Sequence, residues 1–494
     1  MYSEILKSRL YVLILLLIMS AGLKRPVFAS EEPSITTVRI EEIRFEVSGK
    51  TRPEALAREI KLVAGSEYST IEEFRTHLNR EVQDLINLRV FSDVTADVII
   101  VSEGTSSDGR NWENVLIVFK VVDTWTIFPF IVPSSDGSTT VFTLAVVDKN
   151  FLGTLTEFSI SGDFGIGTDP ITGSLEIPRW GFYFKWSGFT VKQWQFNTVL
   201  SQSFQTVRKF NESILIEDYS FFETLYLFNV RYEFKRVPYL YTLITPMLSW
   251  RYGYDIRRQF EEIEYEYFRT GLGLGLDYNR VDWKDFYREG WALGLFNATW
   301  GSWGGERSQM KTIVRTRFSG YGITGKVNPS TRVIGMMSFN HEMTGLGSYL
   351  RGVPDDSAYG DRAVFLNTGI QIRLWKGVWM EPHLLPFVDA GLVAKRDEPL
   401  NFKDDFFLGV GSELILFLPT LPSAQIRGWI GFDINVDEWS SAKWEVGASF
   451  QLHYWMKKRR NTTATIPART KPATTSFTEC PMVSGSVSSS SRNS

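Results

Sequence analysis

The chain of 494 residues has little of what metal, redox or nucleic-acid sites require. Its one cysteine, Cys480, cannot form an intramolecular disulfide, a cysteine-based zinc site or an iron–sulfur site. Its four histidines show no metal-binding spacing, and neither a G-x-S-x-G elbow nor a P-loop is found. The 53 basic and 56 acidic residues nearly cancel, so the chain has no basic field for nucleic acid. We therefore expect no cofactor, no nucleic-acid partner and no enzyme activity.

Long apolar runs are also lacking, with one exception at the N-terminus. Residues 10–23 form an apolar run that follows basic residues and is shorter than the ~20 residues needed to span a bilayer as a helix. Val27 and Ala29 supply the small side chains of a cleavage site. The pattern predicts a signal peptide over residues 1–29, with a retained membrane anchor as the alternative. At the other end, residues 457–494 are basic and rich in serine and threonine, which predicts a disordered tail.

Residues 38–123 carry the pattern of a small α/β domain. Ile43, Phe45 and Val47 alternate with polar residues and predict a strand that ends at Gly49. Two helices and two further strands follow. The first helix has Leu56, Ile60 and Val63 on one face after Pro53, the second begins at the N-cap candidate Thr70, and the strands cover Val94 to Ile100 and Val115 to Val122. The predicted order is β-α-α-β-β.

Residues 125–456 change to short segments of period two, separated by turn residues. Leu272, Leu274 and Leu276, for example, alternate with glycines. Aromatic residues make up 14% of the chain, and there are 39 glycines, as expected for many strands and turns. A transmembrane β-barrel accounts for both features, because its outer face meets lipid and its inner face meets water. About 330 residues at ~20 per strand and connection predict roughly 16 antiparallel strands. A soluble β-sandwich or propeller is the alternative.

The first domain resembles a polypeptide-transport-associated (POTRA) domain. The resemblance rests on the element order, the Gly49 turn, the corner at residues 65–68 and the segment at residues 90–94 that opens the second strand. Such a domain can pair an exposed strand edge with an extended incoming chain. A folded spacer without a client is the alternative.

Three local motifs resemble those of the superfamily of outer-membrane assembly factors and bacterial surface antigens, the BamA/TamA-like proteins. They lie at residues 348–353 (Ser-Tyr-Leu-Arg-Gly-Val), 386–391 (Pro-Phe-Val-Asp-Ala-Gly) and 445–452 (Glu-Val-Gly-Ala-Ser-Phe-Gln-Leu). The resemblance implies an inward-folded loop, a barrel-wall motif and a barrel-terminal signal, in this order. The site residues it implies are Leu350, Arg351 and Gly352 on the loop, Phe387, Asp389 and Gly391 on the wall, and Gly447, Phe450 and Leu452 in the terminal signal. Gln371 departs from the family pattern, in which a glutamate often precedes arginine.

The same resemblance implies an outer-membrane protein of the Gram-negative type, with its POTRA-like domain in the periplasm. It would assist the insertion, assembly or translocation of unfolded outer-membrane or secreted client proteins, among outer-membrane lipids and possible accessory lipoproteins. We expect a seam between a strand near residues 151–160 and the strand of residues 447–452, with Arg351 paired to Asp389. The alternatives are a passive porin-like channel, an adhesin, or a transporter for lipid or envelope biogenesis. A barrel phospholipase would need a Ser-His pair, for which His341 is the only candidate.

Overall fold

A computed structural model describes residues 36–452, apart from 108–109, 136–138, 170–172, 212–213, 260–267, 304–308, 354–357, 396–397, 399–400, 402–404 and 435–443. The predicted signal peptide at 1–29 and the predicted tail at 457–494 lie outside the described residues.

The N-terminal part of the described chain contains two helices and a small sheet. Its elements are β1 (Thr36–Ser48), α1 (Pro53–Glu59), β2 (Glu67–Tyr68), α2 (Ile71–Ile86), β3 (Phe91–Thr105) and β4 (Asn111–Asp123). The strands form a sheet in the order β2-β1-β4-β3. The predicted element order is thus recovered, with one addition, since the corner at residues 65–68 contains the two-residue strand β2.

The two helices begin where the sequence predicts, but α1 ends earlier. Thr70 caps α2, because the Glu73 N–H donates to Thr70 Oγ1 at 3.1 Å, while the Glu73 carboxylate accepts from the Ser69 N–H at 3.1 Å. Helix α1 ends at Glu59, because its C-cap residue Ile60 is β-branched and has an extended backbone (ψ 151°). Val63 is 63% exposed and lies outside the helix. The predicted helical face that included Ile60 and Val63 is therefore wrong.

The remainder of the described chain forms one antiparallel sheet. Its sixteen strands follow sequence order from β5 to β20. They are β5 (Ile127–Ser135), β6 (Thr139–Asp148), β7 (Glu157–Thr168), β8 (Leu175–Val191), β9 (Trp194–Asn211), β10 (Ile214–Glu233), β11 (Leu240–Gln259), β12 (Phe268–Lys284), β13 (Tyr287–Trp303), β14 (Gln309–Tyr321), β15 (Val327–Phe339), β16 (Arg362–Arg373), β17 (Glu381–Ala394), β18 (Phe406–Phe417), β19 (Ala424–Asp433) and β20 (Trp444–Leu452). This number agrees with the sequence estimate.

Compared with a water-soluble sheet, the two faces of this sheet have an inverted polarity. Leu272, Leu274 and Leu276 on β12 are each 46–47% exposed. Charged residues such as Glu157 and Lys185 are instead buried on the other face, where Lys185 Nζ lies 3.1 Å from Glu157 Oε1. A water-soluble sheet packs its apolar face inward and exposes its charges. The alternation predicted from period two is present, with the apolar side chains outward.

By its internal contacts the described chain divides into two compact units. Residues 36–44, 62–81 and 96–118 belong to the first, and residues 45–61, 82–95 and 119–452 belong to the second. The second unit therefore contains the end of α2 as well as the sixteen-stranded sheet. Within this unit, the segment after α2 contacts the end of β12, where the Asn87 side chain donates to Asp282 Oδ1 and accepts from the Trp283 N–H.

The edges of the large sheet are not where the sequence analysis placed them. The predicted seam used a strand near residues 151–160, but Phe151–Gly153 is a 3-10 turn and β7 is the third strand. The edge strands are β5 and β20, and no pairing joins them among the described residues. Two strands precede the turn because residues 127–135 and 139–148 are themselves apolar, β-prone segments.

The two ends of the sheet nevertheless approach each other at one end of the strands. Phe128 on β5 and Val147 on β6 form one buried cluster with Ala424, the first residue of β19. Nearby, the Thr124 hydroxyl donates to the carbonyl of Thr420 at 2.8 Å. The sheet thus curves until its first and penultimate strands pack together through side chains.

Candidate functional site

The candidate site lies on the connection between β15 and β16, which folds against the buried face of the sheet. A 3-10 turn at Leu346–Tyr349 starts this loop, and Leu350 follows in an extended conformation. Leu346, Leu350 and Val353 are at most 2% exposed and belong to a cluster that includes Phe296 and Phe365 from the strands. Apolar packing therefore holds the loop on the inner face of β13 to β17.

Arg351 donates three hydrogen bonds to Asp389 on β17. The Arg351 backbone N–H and Nε donate to Asp389 Oδ2 at 3.0 and 2.9 Å, and Nη2 donates to Oδ1 at 2.7 Å. Nη2 also donates to the carbonyl of Thr368 on β16 at 3.1 Å. The guanidinium lies over the Phe387 ring, 4.0 Å from its centroid. The Asp389 side chain has no exposed area, so this bidentate pair supplies the partners that a buried carboxylate requires.

A second carboxylate extends the network and was not found from the sequence. Glu413 on β18 lies 3.7 Å from Arg351 Nη1 and accepts a 2.9 Å hydrogen bond from Arg427 on β19. The loop arginine is therefore linked to three consecutive strands, through Asp389, Glu413 and Arg427. The only sequence signal for Glu413 is its inward position in the alternation of β18, which does not indicate a partner.

Glycines allow the loop backbone to lie directly on the wall. Gly352 has a positive φ of 85°, and a Cβ there would lie 2.6 Å from the backbone N of Phe432. A Cβ on Gly409 would lie 2.0 Å from the carbonyl oxygen of Arg351. On β17, a Cβ on Gly391 would lie 2.7 Å from Leu350 Cδ1. The glycines of both predicted motifs therefore sit where loop and wall approach too closely for a side chain.

The remaining predicted residues lie elsewhere in the sheet. Gly447, Phe450 and Leu452 are on the edge strand β20, where they pair with Trp429, Ile426 and Ala424 of β19.

Gln371 on β16 also lies away from Arg351. Its Nε2 donates to the carbonyl of Phe286 at 3.1 Å and lies 2.7 Å from His383 Nδ1. His383 contacts Glu381, and Arg373 Nε also lies 2.8 Å from Glu381 Oε1. These residues form a separate polar cluster beneath the connection between β12 and β13.

His341, the only histidine that the sequence offered for a Ser-His pair, contacts Ser338. Ser338 Oγ lies 2.6 Å from His341 Nδ1 and donates to the His341 carbonyl at 2.9 Å. Ser338 is fully buried, and the His341 ring packs edge-on against Trp300 at 5.3 Å. The contact thus fixes the start of the loop.

Within the described residues, no helix is long and apolar enough to cross a membrane. The same residues contain no group of three or more histidine, cysteine, aspartate or glutamate side chains placed to hold a metal ion. What the site offers is a fixed loop on the inner face of the sheet, together with two strand edges.

Comparison with known proteins gives a likeness of fold. No protein-family model matches the chain, and no curated protein matches it either. Among solved structures, CdiB from Escherichia coli matches with a TM-score of 0.55 and 14% identity over 83% of this chain and 76% of that chain. CdiB from Acinetobacter baumannii matches with a TM-score of 0.50 and 14% identity over 83% and 73% of the chains. The structure of BamA from Haemophilus ducreyi lacking POTRA domains 1-3 matches with a TM-score of 0.44 and 14% identity over 84% of each chain.

This chain therefore has the fold of the CdiB structures. The resemblance inferred from its motifs is confirmed at the level of the fold.

Proposed function

We propose that this chain is an outer-membrane β-barrel protein that assists the insertion or translocation of other proteins. Its clients would be unfolded outer-membrane or secreted proteins. It would act without covalent chemistry, by offering a strand edge at a seam that opens sideways. The N-terminal β-α-β-α-β-β segment would act as a POTRA-like domain in the periplasm that receives the client.

The inverted polarity of the sheet supports the membrane part of the proposal. Outward apolar residues such as Leu293 and Val364 are 51% and 53% exposed. Inward charges such as Asp389 and Glu413 are buried and paired. An outer face of this kind is stable against lipid and costly against water.

The anchored loop carries the proposal that the barrel handles proteins. A passive pore needs no loop held against its wall by a bidentate pair, a second carboxylate and glycine contacts at 2.0–2.7 Å. Such a loop occupies inner volume that solute flow would require, and it braces β16 to β19, the strands next to the edge β20. A braced wall beside an unpaired edge supports a role in which the edge opens while the wall keeps its shape.

Quantitative proteomics of the outer-membrane fraction, before and after depletion of this protein, tests the proposal. We expect the protein in that fraction and a selective loss of other β-barrels on depletion. Unchanged barrels with reduced uptake of small solutes would contradict the proposal and indicate a pore. Unchanged barrels with altered membrane lipids would contradict it and indicate a lipid role.

A further inference from the structure

Gln371, His383 and Glu381 form a chain of hydrogen bonds beneath the connection between β12 and β13. Gln371 Nε2 lies 2.7 Å from His383 Nδ1 and 3.1 Å from the carbonyl oxygen of Phe286. On the other side of the imidazole ring, His383 Nε2 lies 2.9 Å from Glu381 Oε1. The His383 side chain is fully buried, so these contacts replace those that water would supply. A titratable group therefore lies between two wall strands, β16 and β17, and the connection.

These contacts are satisfied together by only one protonation state of His383. A carboxylate oxygen accepts hydrogen bonds, so the Nε2 atom that faces Glu381 carries a proton. The Phe286 carbonyl also accepts, so the Gln371 atom beside it is the amide nitrogen, which has two N–H groups. One N–H donates to Phe286 and the other donates to His383 Nδ1, which must then be unprotonated. His383 is therefore neutral, with its proton on Nε2.

A second proton on the ring would reverse the role of Nδ1 from acceptor to donor. Two donors would then face each other across the contact between His383 and Gln371. Gln371 can pair with a protonated Nδ1 only by turning its amide oxygen towards the ring, and the Phe286 carbonyl then loses its donor. The contact of Nε2 with Glu381 is kept in both states. The second proton therefore acts on the bond that ties the connection to the wall.

The connection that this bond holds is also attached to the segment after α2. The Phe286 ring stacks on Phe417 of β18, with 4.6 Å between the centroids. The Arg89 guanidinium lies 5.2 Å from the centroid of Phe286, and Arg89 Nη1 donates to the Asp285 carbonyl at 2.8 Å. A change at the Phe286 carbonyl is therefore passed to Arg89 and its segment.

The charges around His383 balance only while the ring is neutral. The charged and titratable groups that face it or its partners are Glu381 on β17, Arg373 on β16, Asp285 at the connection, Tyr287 on β13 and Arg89 after α2. The tyrosine is uncharged below about pH 10, so two cations face two carboxylates. A proton on the ring adds a net positive charge to a buried cluster, which favours rearrangement of the polar groups around it.

We propose that His383, Gln371 and the Phe286 carbonyl form a proton-operated latch. With His383 neutral, the latch holds the β12–β13 connection on the inner face of the sheet. A proton on Nδ1 releases the Phe286 carbonyl and loosens the connection together with the segment that carries Arg89. The bond is thus present at neutral pH and lost on acidification. This inference goes beyond the proposed function, because it does not depend on what the barrel handles.

The first measurement is the protonation state of His383 in the purified full-length chain. The chain has four histidines, so nitrogen-15 NMR of labelled histidine gives few ring signals, and His383→Phe identifies those of His383. At about pH 7.5 we expect a protonated Nε2 and an unprotonated Nδ1, with a second proton bound by about pH 5. A proton on Nδ1 at the higher pH, or a ring still neutral at the lower pH, would overturn the inference.

The second measurement is hydrogen exchange at the backbone amides of residues 284–288 in phospholipid nanodiscs, corrected for the intrinsic effect of pH. Between the same two pH values we expect protection to fall about five-fold, with its midpoint at the titration of His383. The ring of His383→Phe cannot take up a proton, so its protection should not change with pH. His341→Phe, on the connection between β15 and β16, is the matched control and should keep the full dependence on pH.

A third variant tests the donor itself. Gln371→Met has a side chain of similar length without a donor, so we expect low protection at both pH values. If the variants do not fold, NMR and exchange of the unaltered chain still decide the question. Constant protection while His383 takes up its proton, or an equal fall in His383→Phe, would overturn the inference.

Discussion

At the scale of single residues, the pair of Arg351 and Asp389 is the most consequential contact. Asp389 is fully buried, so removing its partner leaves a carboxylate without compensation, at a cost of about 3–5 kcal/mol. We expect Arg351→Glu to release the loop and to reduce the levels of other barrels in a depletion–complementation assay. Adding Asp389→Arg restores an opposite-charge pair in reversed order and should recover part of that loss.

The control for this charge reversal is Arg362→Glu at the start of β16. The Arg362 side chain is 44% exposed and bonds Asp361 and the Lys395 carbonyl, away from Asp389. The Arg362→Glu substitution changes the net charge by the same amount as Arg351→Glu. Because it leaves the Arg351–Asp389 pair intact, we expect the levels of other barrels to stay near those with the unaltered protein. Full activity of Arg351→Glu would show that the pair is dispensable.

Backbone conformation gives a second prediction at this scale. Gly352→Ala would place a Cβ 2.6 Å from the Phe432 nitrogen at a positive φ, where an alanine costs about 1–2 kcal/mol before any clash. We expect the loop to detach and become cleavable by protease added to the purified, reconstituted protein. Gly162→Ala is the matched control, because its nearest neighbour, the Gly181 carbonyl, would lie at an ordinary 3.7 Å. Equal protease resistance of the two variants would show that the loop does not depend on this close contact.

At the scale of elements, Arg89 connects the segment after α2 to two connections of the large sheet. Its Nε donates to the Pro422 carbonyl at 2.9 Å, and Nη1 donates to the Asp285 carbonyl at 2.8 Å. The guanidinium lies 4.8 Å from the centroid of Trp283. Burial lowers the pKa of Arg89 to about 9, which still leaves it a cation at neutral pH.

We expect Arg89→Ala to lower the thermal unfolding temperature of the second compact unit. The buried Pro422 carbonyl would lose its donor, at about 1–3 kcal/mol, the more exposed Asp285 carbonyl would lose its donor at a smaller cost, and the aromatic ring would lose its cation contact. Arg89→Lys keeps the charge with fewer directed donors and should be intermediate. The measurement is the loss of strand signal on heating in detergent. An unchanged midpoint for Arg89→Ala would contradict the role assigned to these bonds.

Element types were largely predictable, but element ends and edges were less so. The N-cap at Thr70 and the leucine alternation of β12 are local patterns, and both are present. The end of α1 was misplaced because Ile60 and Val63 fit a helical spacing that the backbone does not continue. The edge strand was misplaced because alternation identifies a strand without identifying its neighbours.

At the scale of the whole sheet, the anchored loop should limit flow through the barrel. Replacing residues 342–359 with a short Gly-Ser turn removes the loop that packs on β13 to β17. We expect single-channel conductance in planar bilayers to rise several-fold, because the loop occupies inner volume. A chain with Ser348→Ala, which keeps the loop, is the control. Equal conductance of the two chains would place the loop outside the conducting path.

The sequence by itself determined the strands, their approximate number and the side to which each residue points, because period two is a property of consecutive residues. It also placed the motifs of Arg351 and Asp389 on a loop and a strand. Only the tertiary structure decided that Glu413 and Arg427 join this pair, and that β5 and β20 are the edges. Those relations depend on strand register and sheet curvature, which bring together residues far apart in the chain and leave no mark in a local pattern.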